Sequence, residues 1–480
     1  MRVAVSLVAI AAAGVSGVRW LRVAQREHYL PGSVTRFAIR WWRLGPNALL
    51  LTAAVIAWLV TLAGGWLAGL VTAGAVAAGP FGLSLKGRTS KLAWTRRLRT
   101  LAAVWAVLTI ALAAIDTRVA VTVALLTPLL VDAALGITLP IERRLGEKFV
   151  AEATRRLQQV RPTVVAITGS YGKTGTKGYV AHLVGSSRTV VASPASFNNR
   201  AGLARTVNEH LVPGTEVLVA EMGTYGPGEI RDMCRFVPPD IAAITAIGPV
   251  HLERMKSEDR IAEAKSEIFE RASVAVLNAD DHRLAALADR LEATGGKKVV
   301  RVGAADLGDL SVPPGAPPTN VAVAVAIARQ LGVPDDAIAA RLATLPTAAH
   351  RLTTSTGTSG ATIVDDTYNS NPAGAAAALA ALTRHATDGG KRVVVTPGMV
   401  ELGSRQADEN RAFATAVAES ATHLLIVGQT NRRALQGGAA HGNITVVLVD
   451  TREDAVSWVQ DHLGPGDVVL YENDLPDHYP

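Results

Sequence analysis

Apolar positions divide the 480-residue chain into two kinds of sequence. In the first third they form long runs. Val3–Val18, Asn47–Ala78 and Leu101–Ile115 carry no charged side chain, and Val119–Leu139 carries only Asp132. Beyond Arg161 the runs shorten to a few β-branched residues and alternate with stretches of helical period. The long runs predict membrane helices. Asn47–Ala78 would measure roughly 50 Å as a single helix, against a hydrocarbon core of about 30 Å, so a turn is expected at Gly64-Gly65. Val3–Val18 is read as a helix and not a signal peptide, because no small-residue cleavage site precedes a polar mature chain.

The short runs predict strands. "TVVAIT", "EVLVAEM", "IAAITAI" and "VAVLN" read as buried parallel strands. "ATIVDD", "RVVVTP", "HLLIVG", "ITVVLV" and "DVVLYE" form a second series, after the Pro/Gly-rich connector Asp309–Asn320 and the helical "VAVAVAIARQLG". Strand–helix alternation of this kind implies open α/β sheets. The fold class expected is therefore an α-helical membrane segment followed by two α/β domains: a P-loop central domain with a mostly parallel sheet and a Rossmann-like C-terminal domain. The expected boundaries are 1–150, 151–347 and 348–480, the last placed near Thr347–His350.

Charge sharpens the first part. Residues 1–148 hold 17 Lys/Arg against 5 Asp/Glu, a net of +12; the remaining 31 basic and 36 acidic residues give −5, which together make the chain's +7. The high pI belongs to the membrane part, so nucleic acid is not expected as a partner. The basic residues concentrate in Arg19–Arg43, Lys86–Arg99 and Arg143–Lys148. Cytoplasmic loops collect such residues. Placing all three inside predicts five crossings, with the N-terminus out, "DTR" (Asp116–Arg118) as an outer turn and the α/β domains in the cytoplasm. Trp41, Trp42, Trp58 and Trp66 are interface anchors or packed side chains. "REHYLPG" (Arg26–Gly32) is either a headgroup or substrate contact or a structured connection. The lone Cys234 excludes an intrachain disulfide and a multi-cysteine zinc site.

Chemistry concentrates at Thr168-Gly169-Ser170-Tyr171-Gly172-Lys173-Thr174-Gly175, where a strand enters a glycine turn and then a helix. Backbone N–H groups at such a turn bind phosphate oxygens, helped by the helix N-terminus. Lys173 is placed to reach the β- and γ-phosphates, and the Thr174 hydroxyl to ligate magnesium. The longer common P-loop requires glycine where Ile167 stands. Downstream, Glu221 and His251 fall at the ends of successive strands, and Lys265 lies on a helix close behind. Open α/β sheets bind ligands at such strand ends.

The ordered strings "GSYGKT", "SFNNRAGLARTVNE", "EMGTYGPGEI", "GPVHLE", "AKSEIFE", "LNADD", "HRL", "VDDTYNSNP" and "GMVELG" resemble the Mur ligase family, the ATP-dependent amide-forming enzymes of peptidoglycan synthesis, over about Pro162–Gly403. The short loop G-x-x-G-K-[ST] is that family's form. The resemblance implies magnesium bound by Thr174, Glu221, His251 and a carbamylated Lys265, with two ions, and catalytic roles for Lys173, Lys265 and His251. It implies nucleotide contacts from Asn278, Arg351 and Asp366, and substrate contacts from Asn198, Asn199, Tyr368, Asn369 and Asn371. The chemistry implied is transfer of the ATP γ-phosphate to a carboxylate, followed by attack of an amine.

Three features depart from the family's pattern. The membrane segment stands where a uridine-nucleotide domain is expected. The ending "LYENDLPDHYP" and Asn410 replace a "K-G-S-R" style ending and a histidine, and Gly175 replaces Ser/Thr. The leading expectation is a membrane-anchored amide ligase joining a small-molecule or lipid-linked carboxylate to an amino-acid or peptide amine at the plasma membrane. The alternatives are a D-alanyl-D-alanine-adding ligase, a poly-γ-glutamate-type polymer synthase and a P-loop ATPase without ligase chemistry.

Overall fold

The computed structural model describes residues 1–87, 91–194, 197–313, 315–346, 352–367 and 370–480. It divides into two compact units, residues 1–145 with 475–480, and residues 146–474.

The first unit is helical: α1 (Arg2–Arg26), α2 (Ser33–Trp42), α3 (Gly45–Leu62), α4 (Ala68–Ala78), α5 (Arg96–Ala113), α6 (Thr117–Leu125) and the start of α7 (Thr127–Val160). The chain turns at Gly64-Gly65, between α3 and α4, as its pattern predicts. The Val119–Leu139 run behaves differently: it breaks after Leu125, and α6 and α7 meet at 82°. Among the described residues, α1 and α3 are long and apolar enough to cross a membrane, with a third span if the bent pair counts as one. At 11 residues α4 is only about 17 Å long.

Contacts within this unit sort its loops onto two ends. At one end the Arg2 and Arg118 guanidiniums cover the Trp66 ring at 4.2 and 5.3 Å, and Ser6 Oγ donates to Thr117 Oγ1 (3.0 Å). The N-terminus, the Gly64-Gly65 turn and the "DTR" turn therefore lie together. At the other end Arg19 Nη1 donates to Ala77 O (2.7 Å), Arg26 Nη2 to Lys91 O (3.2 Å) and Arg96 Nη2 to Glu142 Oε2 (3.3 Å). These contacts bring the C-terminal part of α1, the end of α4, the chain at Lys91 and Arg96, and Glu142 of α7 together.

"REHYLPG" is a structured connection. Glu27 accepts from His478 Nε2 at 3.0 Å, and Arg97 stacks on Tyr29 at 4.2 Å. Asp132 of α7 accepts from the Gly32 and Thr35 amides (2.9 and 2.7 Å), satisfying donors at the start of α2. Trp41 and Trp58 bond inside the unit, to His478 O and Thr122 Oγ1, both at 2.8 Å.

The last six residues belong to this unit and not to the second α/β domain, where the 348–480 boundary puts them. Arg22 and Asp477 form an ion pair at 2.7 Å with side chains 0% and 2% exposed, and Phe37 packs against the His478 and Tyr479 rings. Charge and aromatic complementarity hold this tail, and neither registers as a strand or helix pattern.

The second unit carries two six-stranded sheets. The first follows the order β2-β3-β1-β4-β5-β6, from β1 (Thr163–Thr168), β2 (Val190–Ala192), β3 (Val217–Glu221), β4 (Ile241–Ile244), β5 (Val274–Asn278) and β6 (Lys298–Val302), all parallel. Helices α8 (Lys173–Val184) and α9 (Arg200–His210) follow β1 and β2. The central strands are buried on both faces, which is why they read as continuous β-branched runs. Ala153 and Leu157 of α7 complete one side of that core.

The second sheet runs β11-β10-β9-β12-β8-β7. Its strands are β7 (Thr353–Thr356), β8 (Thr362–Asp366), β9 (Arg392–Thr396), β10 (His423–Val427), β11 (Thr445–Val449) and β12 (Val468–Glu472). Only β7 is antiparallel. The pattern missed β2, β6 and β7. The first has three residues, the second is a basic edge strand and the third is a mostly exposed threonine run. The expected boundary at 347–350 lies outside the described residues.

Candidate active site

Strand β1 and helix α8 enclose the glycine turn. A Cβ on Gly169 would sit 1.9 Å from Thr245 Oγ1, so only glycine lets β4's extension approach. Gly172 caps α8 at φ 77, a left-handed conformation that costs a side-chain-bearing residue energy. Ser170 fastens the turn, its amide donating to Ala246 O (2.7 Å) and its hydroxyl to Gly248 O (3.1 Å). Tyr171 packs on Gly248. Burial first, then the Glu258 and Glu409 carboxylates, push its phenol above the ordinary range. Gly175 has space for a side chain, with Tyr179 3.9 Å from a built Cβ.

Two lysines approach this turn. Lys173 Nζ lies 2.8 Å from Gly169 O and 3.3 Å from Ser170 O. Lys265, on the helix Glu258–Ser266, is buried. Burial, then repulsion from Lys173, hold its amine well below the usual lysine range. A desolvated amine beside a second cation favours the neutral form, and it is a place where an anion gains most.

Opposite them, at the end of β3, Glu221 is 2% exposed. Its Oε2 accepts from Thr174 Oγ1 and Lys177 Nζ, each at 3.0 Å, and its Oε1 from Asn198 Nδ2 at 3.1 Å. The structure thus brings together Thr174, Glu221 and Asn198, and adds Lys177, which motif reading missed. Its signal was the spacing: Lys177 stands four residues beyond Lys173, on the same helix face. Ser193, whose hydroxyl receives the Glu221 amide at 3.1 Å, was missed too, since nothing in its local sequence marks it.

The other expected residues are placed as follows. His251 Nδ1 bonds to the Glu401 carboxylate of "GMVELG". Arg405 Nη1 reaches Glu258 Oε1 at 2.5 Å, a second tie between the two α/β domains. Asn278 is buried and uses part of its amide structurally, donating to Thr245 O (2.9 Å) and accepting from Asp280 N (3.1 Å). Asn199 and Asn371 are helix N-caps, accepting from Gly202 N and Gly374 N at 2.9 Å. Asn410 is buried and locks its loop through Met399 N (2.8 Å), Met399 O (2.9 Å) and Gln406 O (2.7 Å). Asp366 lies at the end of β8, in register with Glu472 of β12. Glu472 accepts from Ser370 Oγ and from Thr396 Oγ1 (2.9 Å), and burial pushes its carboxyl up to about 7. Arg351, Tyr368 and Asn369 lie outside the described residues.

These residues fit a nucleotide phosphate chain. Thr168 Oγ1 and Thr176 Oγ1 are buried beside the turn without hydrogen-bond partners. Two lysines converge there, and Thr174 and Glu221 offer hard oxygens. Among the described residues no three His, Cys, Asp or Glu side chains form a metal cage. Magnesium uses one or two carboxylates and completes its shell with phosphates and water, a demand that the adjacent Glu221 carboxylate and Thr174 hydroxyl fit.

The strand–glycine–helix turn, the lysines at parallel strand ends and the appended second α/β sheet define a P-loop nucleotide-binding enzyme of two α/β domains. The sequence matches the Mur ligase middle domain over residues 167–311 and the Mur ligase glutamate ligase domain over residues 350–471. It is 32% identical over 360 residues to the UDP-N-acetylmuramoyl-tripeptide–D-alanyl-D-alanine ligase of Mycobacterium tuberculosis, covering 64% of this chain and 69% of that one. MurF from Acinetobacter baumannii superposes with a TM-score of 0.59 at 25% identity, covering 68% and 77%. MurF from Thermotoga maritima, solved with ADP, gives 0.58 at 25%, covering 68% and 80%. The chain belongs to the Mur ligase family and is an ATP-dependent, ADP-forming carboxylate–amine ligase. That sets aside an ATPase without ligase chemistry. Neither domain match includes the N-terminal helices.

Proposed function

We propose that this ligase is anchored in the cell membrane, with its α/β domains in the cytoplasm, and builds an amide on a cell-envelope carboxylate presented at the bilayer. The observation that carries the chemistry is the glycine turn itself, with Lys173 bonded to its carbonyls, Thr174 bonded to Glu221, and the buried Lys265 close enough to Lys173 to feel its charge. A carboxylate oxygen attacks the γ-phosphorus, the bond to ADP breaks, and an acyl phosphate forms. An amine nitrogen then attacks the acyl carbon, phosphate leaves, and the nitrogen loses a proton.

Lys173 stabilises charge on the transferring phosphoryl group. Lys265, as a neutral amine, adds carbon dioxide and releases a proton, becoming an anionic carbamate. Thr174, Glu221, His251 and that carbamate would hold magnesium, as one or two ions, which when bound would neutralise charge on the phosphate oxygens. Asn278 and Asp366 are assigned to the nucleotide, and Asn198, Asn199 and Asn371 to the substrate; Arg351, Tyr368 and Asn369 of the same motifs lie outside the described residues. Asn198 is bonded to Glu221, which links the two sets.

The bilayer part rests on the helical unit, which turns large apolar side chains outward: Leu49 (75% exposed), Ile56 and Leu59 on α3, and Val107 and Ile110 on α5. The curated relatives favour a second reading, in which the carboxylate is a UDP-N-acetylmuramoyl-tripeptide and the amine D-alanyl-D-alanine. A poly-γ-glutamate-type polymerisation is the third.

Hydroxylamine trapping tests the chemistry. Purified protein with ATP should yield a hydroxamate only when the correct carboxylate is present. ADP formation with no hydroxamate from cell-envelope carboxylates, soluble or lipid-linked, would overturn the reading, and hydroxamate from the UDP-linked tripeptide would select the second.

A further inference from the structure

Glu221 is the carboxylate proposed to receive magnesium, and it already holds a cation of the protein's own. Lys177 Nζ lies 3.0 Å from Glu221 Oε2, with the two side chains 6% and 2% exposed. The same oxygen accepts from Thr174 Oγ1 at 3.0 Å, and the other from Asn198 Nδ2 at 3.1 Å. Two hydroxyl or ammonium donors therefore converge on the very oxygen that the metal and the Thr174 hydroxyl would share.

A carboxylate this far from water is costly unless paired, and the lysine pairs it. The same lysine repels a second cation brought to the same oxygen, most strongly where solvent is excluded. Magnesium also sheds its water reluctantly and relies on substrate phosphates for part of its shell. A bare divalent ion gains one already neutralised carboxylate and faces an ammonium at contact distance. An ion arriving on a triphosphate brings an excess of negative charge, which offsets that repulsion and gives the ammonium another partner.

We propose that Lys177 is a positioning residue for the ligase reaction: a resident counter-ion that holds the Glu221 carboxylate in place, and makes the divalent metal enter with the nucleotide and not alone. The inference rests on Glu221 being a metal ligand.

Manganese, followed by the loss of its free-ion paramagnetic resonance signal, tests this on the full-length, nucleotide-free protein. The wild type should bind Mn2+ weakly. Lys177→Met should bind one ion at least about tenfold more tightly, because the like charge is gone. Lys177→Gln keeps a donor to Glu221 and should show the same gain if the Met variant does not fold. Lys177→Arg, which keeps the charge, should stay weak, and Glu221→Gln in the Lys177→Gln background should abolish the gain. Equal Mn2+ affinity in the wild type and Lys177→Gln, or a gain in Lys177→Arg, overturns the proposal. The parent reading fails separately, if Glu221→Gln alone leaves Mn2+ binding in the presence of ATP unchanged.

Discussion

Arg22 and Asp477 stand 455 positions apart, yet their side chains meet at 2.7 Å with almost no exposure to solvent. Removing one partner of such a pair leaves a buried charge uncompensated. Asp477→Ala should cost about 3–5 kcal/mol of helical-unit stability, and exchanging both residues for apolar ones of similar volume should cost much less. Thermal unfolding in detergent, followed by tryptophan fluorescence, reads this, since Trp20 and Trp41 lie in the same core. An unchanged transition in Asp477→Ala would show that the tail does not hold the helices.

Lys173→Ala should lower ADP formation by about 10²–10³-fold, the scale of losing one preorganised donor to a developing charge. Glu221→Gln should impair the same step. Single-turnover rates at saturating ATP separate this loss from weakened binding.

Lys265 gives a different signature. Lys265→Ala should be inactive and partly restored by a short-chain carboxylate that supplies the missing anion. The wild type should lose activity on removal of carbon dioxide and regain it with bicarbonate. Full activity of the alanine variant would exclude the carbamate.

Glu472 sets a pH dependence of stability. Its carboxyl ionises at about 7 in the folded chain, against an ordinary 4.5. The folded state therefore binds more protons between those values. The stability this proton confers is present in full below about 4.5 and is lost as pH rises through 7. The difference is worth roughly 3–4 kcal/mol. Glu472→Gln should raise Tm relative to the wild type at pH 8 and gain little at pH 5. Equal shifts at both pH values would contradict the assignment.

Topology is open to cysteine labelling, because Cys234 is buried and its thiol pushed up to about 12, which leaves a low background. Ile115→Cys, beside the "DTR" turn and at a position 69% exposed, should react with a membrane-impermeant maleimide on intact cells. Lys91→Cys, at the basic end, should react only after lysis. The reverse pattern would put the ATP site on the wrong side of the bilayer.

Much of the site was legible because its chemistry is local. "TGSYGKT" packs the end of a strand, a tight turn and the start of a helix into seven residues, so the phosphate loop follows from backbone geometry alone. The parallel strands were legible because strands buried on both faces read as unbroken β-branched runs. Legibility ended where partners come from afar. The N-caps at Asn199 and Asn371 are local, each accepting from an amide three residues on. Glu401 reaches His251 from another domain, 150 positions away, and no spacing rule anticipates it.

The helical first third, the two strand–helix series and the nucleotide turn follow from the order of residues alone, because periodicity, charge placement and glycine chemistry act between near neighbours. Three-dimensional packing fixes the 82° angle between α6 and α7, the meeting of Lys177 with Glu221, and the closure of the final residues on Arg22 and Trp41. Those outcomes depend on which charges and rings find one another once water is excluded. That is a property of packing, and no window of sequence contains both partners.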